Sequence, residues 1–318
     1  MAKSEPRKLI KFGNSSFIIS IPKEWIDKNG LKKGDIVYLE DNIDHLVLTL
    51  KDKKKPTCKK ITISLANKEV DDLRREFTSA YINNYSEIIL EGKNERKRSE
   101  LINKIIQEKV GIEIVEQNDT QTVIKDILDL DAVSFEKITR RLDNVIRSMF
   151  EDVISALKME SFKEWTAKEI NQADIEVNKL YFLIWKIVRK CQEEPRLSIG
   201  LKVTPKELSD TQWLSLHIEY IGDNLKRLAK LLISTKMNAE SRKKILELTS
   251  SFEKYYLEAI NSYYANDKIS ARKIAGMKHE HQKFCSDFCA SDPSVEIVGE
   301  KFRGIANSIH NIAKIIAY

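Results

Sequence analysis

The first fifty residues hold the pattern that most constrains this chain, because their strands are too short to enclose a core alone. Strand patterns from Lys8 to Phe12 and from Phe17 to Ile21 flank a turn at Gly13-Asn14, where both residues tolerate positive φ. Pro22 ends the second strand, and one helical turn and two more strands follow. Four strands of about six residues bury too little apolar surface for independent stability. The segment is therefore not expected to fold stably by itself.

The run from Lys8 through Gly13-Asn14-Ser15 and Pro22 to Glu40 resembles the swapped-hairpin DNA-binding domain of the AbrB/SpoVT family. The resemblance implies a homodimer held by swapped hairpins, with duplex DNA as the partner. Five polar or basic residues of this segment are the predicted DNA contacts: Arg7, Lys8, Lys11, Asn14 and Lys23.

The distribution of charge favours the same partner. The chain has 54 Lys and Arg against 48 Asp and Glu, and residues 1–60 carry 14 basic and 8 acidic side chains, which accounts for the whole net charge of +6. A positive field confined to one small segment suits contacts with phosphates. The alternative is a solubilising basic segment with a Lys-rich linker, on a domain that only dimerises. Lys also outnumbers Arg here, and Lys discriminates bases less well than Arg does.

Composition excludes several classes of protein. A hydrophobic content of 42% and a charged content of 32% are typical of a soluble globular protein, and no apolar run approaches the roughly 20 residues of a membrane span. There is no signal-peptide pattern, and four cysteines do not form a disulfide framework, so a cytoplasmic location is expected. The chain has no glycine-rich phosphate loop and no set of nucleophile, base and orienting group, so we do not expect an enzyme.

The predicted fold is multidomain and mainly α. It comprises an N-terminal swapped-hairpin β-barrel, a small α/β middle segment and a C-terminal pair of three-helix bundles. The corresponding domains are residues 1–51, 58–128, 132–236 and 238–318. The middle segment follows the order β-α-β-α-β-β, with a hairpin around Asn118-Asp119, and would be either a structural spacer or a ligand-sensing module.

Six amphipathic helices are predicted in the C-terminal half, at residues 134–159, 162–192, 206–234, 239–265, 267–290 and 294–318. Their starts are marked by capping residues at Ser134, Asn238 and Asp267, and by capping boxes at Ser161–Glu164 and Thr204–Glu207.

Two runs in this half, Gln172 to Leu180 and Leu216 to Leu225, resemble the acidic helices of the PhoU phosphate-signalling regulators, and the helix around Gly304 to Ala313 echoes them. An AbrB-like segment ahead of a PhoU-like one is typical of archaeal regulators. The resemblance implies a bound metal cofactor, a divalent or non-haem ion (Mg, Fe, Mn or Zn). The predicted ligands are Asp174, Glu176, Asn178, Glu219 and Asp223.

The spacing of these residues leaves two interpretations open. Carboxylates at i and i+4, such as Glu219 and Asp223, lie on one helix face and repel unless a cation sits between them. The alternative is a solvated, salt-bridged face in which Asp223 pairs with Arg227. A separate stripe of His281, Cys285 and Cys289 could hold zinc, or could consist of packed core residues.

The leading hypothesis is a dimeric DNA-binding transcriptional regulator of phosphate uptake, whose helical half senses or relays phosphate status through a transporter ATPase or signalling protein. One alternative is a PhoU-type adaptor that inhibits a phosphate transporter or its signalling partner without sequence-specific DNA binding. Another is a sensor of a different oxyanion or of a metal ion.

Overall fold

The computed structural model describes residues 5–42, 45–50, 59–93, 96–159, 164–234, 238–291 and 296–318. The chain is mostly helical and divides into two compact units, Met1–Pro56 and Thr57–Tyr318. Within the described ranges, no helix combines the length and the apolar character that a bilayer crossing requires.

The first unit consists of two hairpins and a short helix. Its elements are β1 (Ile10–Phe12), β2 (Ser16–Ile18), α1 (Lys23–Lys28), β3 (Tyr38–Asn42) and β4 (His45–Thr49). Gly13 has φ +69°, as the predicted tight turn requires. Both hairpins are antiparallel, and they form two separate two-stranded sheets. The closed β-barrel predicted for this segment is therefore not seen in a single chain, because within the described residues each of these two sheets has two strands.

The second unit begins with a four-stranded mixed sheet and two helices. These elements are β5 (Lys60–Ser64), α2 (Val70–Ile82), β6 (Glu87–Glu91), α3 (Arg96–Gln107), β7 (Ile112–Gln117) and β8 (Gln121–Asp126). The strand order is β5-β6-β8-β7, with β5 and β6 parallel and the other pairs antiparallel. The predicted hairpin is confirmed, since the Asn118 side chain accepts hydrogen bonds from the amides of Thr120 and Gln121.

The remainder of the second unit is helical. Its helices are α4 (Phe135–Lys158), α5 (Glu164–Glu193), α6 (Pro195–Gly200), α7 (Pro205–Ser234), α8 (Ala239–Tyr264), α9 (Lys268–Gly276), α10 (Lys278–Ser291) and α11 (Glu296–Ala317). The single helix predicted over residues 267–290 is wrong, because the chain breaks into α9 and α10 at Met277. Gly276 ends α9, and glycine is one of the least favourable residues in a helix interior. The short helix α6 was not predicted.

Local capping signals placed most of the helix starts correctly. Ser134 accepts from the amide of Lys137, and Asn238 accepts from that of Ser241. Thr204 and Glu207 form the predicted reciprocal box, with the Thr204 amide donating to the Glu207 carboxylate at 2.7 Å. Asp267 caps α9 through the amides of Ile269 and Ser270. The predicted box at Ser161 lies outside the described residues.

The helices share one continuous apolar core. Leu142 of α4, Ile218 of α7, Phe252 of α8 and Ile305 of α11 are all fully buried in the same cluster. Helix α11 packs against α7 as well as against α8, and α4 contacts α5, α7 and α8. Because the core runs across the predicted boundary near residue 237, the division into two PhoU-like three-helix bundles stays a prediction.

One face of α5 holds the sheet of the second unit against the helices. Phe182 packs against the apolar core of the sheet, whose members include Phe77 and Ile124. One turn later, the fully buried Lys186 ammonium lies 2.7 Å from the carboxylate of Asp126 at the end of β8. This face thus combines apolar packing with a buried ion pair.

Candidate functional site

All five predicted DNA contacts lie just before the first hairpin, on it, or at the start of α1. Arg7 and Lys8 precede β1, Lys11 is the middle residue of β1, Asn14 is in the turn, and Lys23 is the first residue of α1. Every one of these side chains is exposed. Arg7 is paired with Glu5, whereas Lys8, Lys11 and Lys23 make no ion pair among the residues that the structure describes. Three lysines are thus available to phosphate groups.

The register of the first hairpin separates its two faces. Ile10 lies opposite Ile18, and Phe12 lies opposite Ser16, so the two aliphatic residues and Phe12 share one face. Lys11 lies opposite Phe17 and therefore projects from the other face. The hairpin thus presents Ile10, Phe12 and Ile18 on one side, and Lys11 together with the exposed Phe17 on the other.

The first unit leaves an unusual amount of apolar surface uncovered. Ten of the 21 large hydrophobic side chains found exposed in the described residues belong to it. Phe12 is 66% exposed, Phe17 65% and Leu39 62%. Within the described part of this unit, no residue belongs to a buried apolar cluster. Burying each such side chain fully would contribute about 1.5–3 kcal/mol, so a single copy leaves a large stabilisation unused.

The predicted metal ligands are divided by the structure into two groups. Asp174 of α5 and Asp223 of α7 converge on Lys226, whose ammonium lies 2.8 Å from each carboxylate. Asp223 also forms the predicted pair with Arg227, at 2.6 Å. A lysine therefore occupies the position between the two helices that a metal ion would need.

The other predicted ligands are engaged elsewhere. Glu176 pairs with Arg141 of α4, and the Asn178 amide donates to the backbone carbonyl of Asp174 at 2.9 Å. Among the described residues, no group of three or more His, Cys, Asp or Glu is arranged to hold a metal ion. The residues as arranged fit a salt-bridged face better than a metal centre, and metal binding stays a prediction.

Glu219 is the most perturbed acid of this cluster. Its pKa is raised to about 7, first by burial and then by the negative charges of Asp223 and Asp174. The pKa of Asp174 is also raised by burial, while the hydrogen bond from Lys226 acts in the opposite direction. Burial and the neighbouring carboxylates thus favour the protonated form of Glu219.

The stripe on α10 belongs largely to the helical core. His281 is 3% exposed and packs on the ring of Tyr255, with the ring centroids 4.1 Å apart. Cys285 is fully buried in the main apolar cluster, and the side chain of Cys289 lies outside the described residues. Packing accounts for Cys285 and for the ring faces of His281, whereas His281 Nε2 is buried with no hydrogen bond among the described residues. Zinc binding by this stripe stays a prediction.

Sequence reasoning missed the roles of Lys226 and of His310 on α11. The spacing of Lys226 three residues after Asp223 was a usable signal, because residues at i and i+3 are neighbours on a helix. His310 is buried, and in the described part of the chain neither of its ring nitrogens makes a well-formed hydrogen bond. Nothing in its sequence neighbourhood marked it.

Comparison with known proteins bears on the first unit. Residues 10–57 match the family model described as antidote-toxin recognition MazE, bacterial antitoxin. No curated protein matches the chain. The match includes both hairpins and α1, and it does not extend to the sheet or the helices of the second unit. The N-terminal segment is therefore similar to MazE/AbrB-type domains, in agreement with the DNA-binding part of the resemblance found in the sequence.

Proposed function

We propose that this chain is a dimeric DNA-binding regulator, in which the first unit is completed by a second copy of itself. The observation that carries the proposal is the uncovered apolar surface of the two hairpins. Phe12, Phe17 and Leu39 are each more than 60% exposed in one chain. A second copy with the same surface would cover them by strand pairing and would close the sheet.

The family match supplies the second support. Domains of the MazE/AbrB type bind DNA and dimerise. Lys8, Lys11 and Lys23 are exposed and close together in sequence on this unit. In a dimer their number doubles, which gives a paired positive surface suited to the two backbones of a duplex.

The specific pathway rests on the PhoU resemblance alone. In that hypothesis, the regulator controls phosphate uptake, and its helical half relays a signal from a transporter ATPase or a signalling protein. A PhoU-type adaptor that does not bind DNA sequence-specifically is the alternative. The matched family is also described by toxin recognition, so an antitoxin-like role is a second candidate for the first unit.

The salt dependence of DNA binding tests the proposal. A fluorescent duplex is titrated with the full chain at several salt concentrations, using the wild type and a variant with Lys8, Lys11 and Lys23 changed to Gln. Each phosphate contact contributes about 0.9 to the slope of log affinity against log salt, so removing three contacts per chain should flatten the slope by about 3 or more.

The control variant changes Lys28, Lys32 and Lys33 to Gln. These lysines are exposed in the same unit and carry the same total charge. The proposal predicts a much smaller loss for this control. Equal losses in the two variants, or no binding of duplex DNA by the wild type, would contradict the proposed DNA contacts.

A further inference from the structure

A basic cavity lies where α9, the start of α10 and the end of α11 meet. Its volume is about 460 Å³, within the range of roughly 300–1,000 Å³ typical of small-molecule sites. Five basic or imidazole side chains line it: Arg272, Lys278, His279, His310 and Lys314. Among the described residues that line it, none has an acidic side chain. The cavity therefore gathers several cationic side chains in its wall.

The cations of this cavity are not used in ion pairs. The Arg272 side chain donates one hydrogen bond to the backbone carbonyl of Ala317, at 3.1 Å. Within the described residues, Arg272, Lys278 and Lys314 form no ion pair with a carboxylate. Elsewhere on the helices lysines are paired, as with Lys244 and Glu240 at 2.9 Å. Like charges gathered without partners are unfavourable, and an anion between them would relieve the repulsion.

His310 supplies a buried donor at the same place. Its side chain is 5% exposed, and within the described residues neither ring nitrogen makes a well-formed hydrogen bond. A buried polar group without a partner costs about 1–3 kcal/mol, so such groups in proteins usually have a functional or a solvent explanation.

The surroundings of His310 keep its ring neutral. Burial lowers the pKa of His310 to about 4, and the charges of Lys314, Lys278 and His281 act in the same direction. A backbone hydrogen bond with the Ala275 carbonyl, too poorly formed to satisfy either ring nitrogen, opposes the shift. A neutral imidazole carries one N–H group, and it can donate this group to an anion without changing its own protonation state.

We propose that this cavity binds a phosphate-type oxyanion, with Arg272, Lys278 and Lys314 supplying positive charge and the His310 ring donating a hydrogen bond to an anion oxygen. The shared chemistry is a group with at least two negative charges, either as the free ion or as a phosphomonoester. The cavity has more room than a single ion needs, so it accommodates an ester. This site does not depend on DNA binding by the first unit, although it would give the proposed sensing half its ligand.

Isothermal titration calorimetry on the full chain tests the proposal. The probes are inorganic phosphate, sulfate and adenosine monophosphate, each at constant ionic strength and pH 7.5. At least one should bind with one site per chain. Tighter binding of the nucleotide assigns the site to an ester, whereas tighter binding of phosphate assigns it to the free ion.

Single-charge variants then locate the site. Lys314→Gln and Lys278→Gln should each weaken binding about tenfold or more, since each removes a charge-assisted contact. Lys273→Gln is the matched control, because Lys273 is exposed on α9 and does not line the cavity. It should bind within about twofold of the wild type.

Nuclear magnetic resonance of His310 provides an independent measurement. An anion in the cavity favours the protonated ring, so the bound probe should raise the pKa of His310. The proposal is overturned if none of the three probes binds, if both cavity variants bind as tightly as the wild type, or if Lys273→Gln loses as much affinity as they do.

Discussion

The buried pair between Lys186 and Asp126 gives the sharpest prediction about how the second unit is held together. Lys186 is fully buried on α5, and Asp126 ends β8 with a side chain that is 17% exposed. The Lys186 ammonium also lies 4.5 Å from the centre of the Tyr81 ring. The pKa of Lys186 is lowered by burial, although the charge and the hydrogen bond of Asp126 raise it.

Replacing Asp126 by Asn removes the counter-charge and keeps the shape. Breaking a buried pair by removing one partner costs about 3–5 kcal/mol, and the partial exposure of Asp126 places the expected loss near the lower value, about 3 kcal/mol. Replacing both partners, with Lys186→Met and Asp126→Asn, leaves no buried charge. The double variant should therefore lie within about 1.5 kcal/mol of the wild type.

The pH dependence of the single variant has a definite sign. Without Asp126, the pKa of Lys186 in the folded chain falls further below its ordinary value of 10.5. Between the two values the unfolded chain binds more protons, so the stability of Asp126→Asn should rise as the pH is raised towards 10.5.

Urea unfolding followed by circular dichroism at 222 nm measures these differences. Lys190→Met is the matched control, since Lys190 lies one turn later on α5 and pairs with the half-exposed Glu194. It should change the free energy of unfolding by less than about 1 kcal/mol. If Asp126→Asn were as stable as this control, the buried pair would not hold the sheet against α5.

Three further changes test other parts of the account. His310→Gln should make the free energy of unfolding less sensitive to acid, as measured by urea midpoints. Because the pKa of His310 is about 4 in the folded chain instead of 6.5, the wild type should lose up to about 3 kcal/mol of stability as the pH falls from 6.5 to 4. Glu219→Gln should remove a loss of stability that occurs as the pH rises. Because the pKa of Glu219 is about 7 in the folded chain, the wild type should lose about 1–2 kcal/mol of unfolding free energy between pH 4.5 and 7, allowing for partial exposure. Gly111→Ala should lower the thermal midpoint, since φ is +71° and a Cβ would lie 2.5 Å from the Cβ of Leu128, whereas Gly276→Ala, with open space around it, should not.

Features determined by neighbouring residues were predictable from the sequence. The caps at Ser134, Thr204, Asn238 and Asp267 each depend on a hydrogen bond that spans only two or three residues. The order of strands and helices in the middle segment also follows from local periodicity.

Features that depend on distant contacts were not predictable in the same way. Lys186 and Asp126 are 60 residues apart, and a lysine after an apolar run is usually a solvated residue. The break at Met277 follows a glycine inside a pattern that otherwise continues, and a single glycine does not by itself end a helix.

In the candidate sites, too, the local features were predictable from the sequence and the contacts between distant residues were not. The charge and turn pattern located the first hairpin, and the family match covers that segment. The acidic residues were found by spacing, but the position of Lys226 between Asp174 and Asp223 depends on how α5 and α7 pack. Sequence spacing shows which residues share a face of one helix. It does not show which charged side chain lies between two packed helices.

The most direct test of the central claim is the molecular mass of the full chain by sedimentation equilibrium, for the wild type and for Phe12→Ser combined with Phe17→Ser. One chain has a mass of 36.8 kDa, and a second copy covering the hairpins predicts twice that value for the wild type. The variant should sediment as a monomer with unchanged helical content, because its substitutions lie outside the second unit. A wild-type monomer at micromolar concentration, or a variant that stays dimeric, would contradict dimerisation through the first unit.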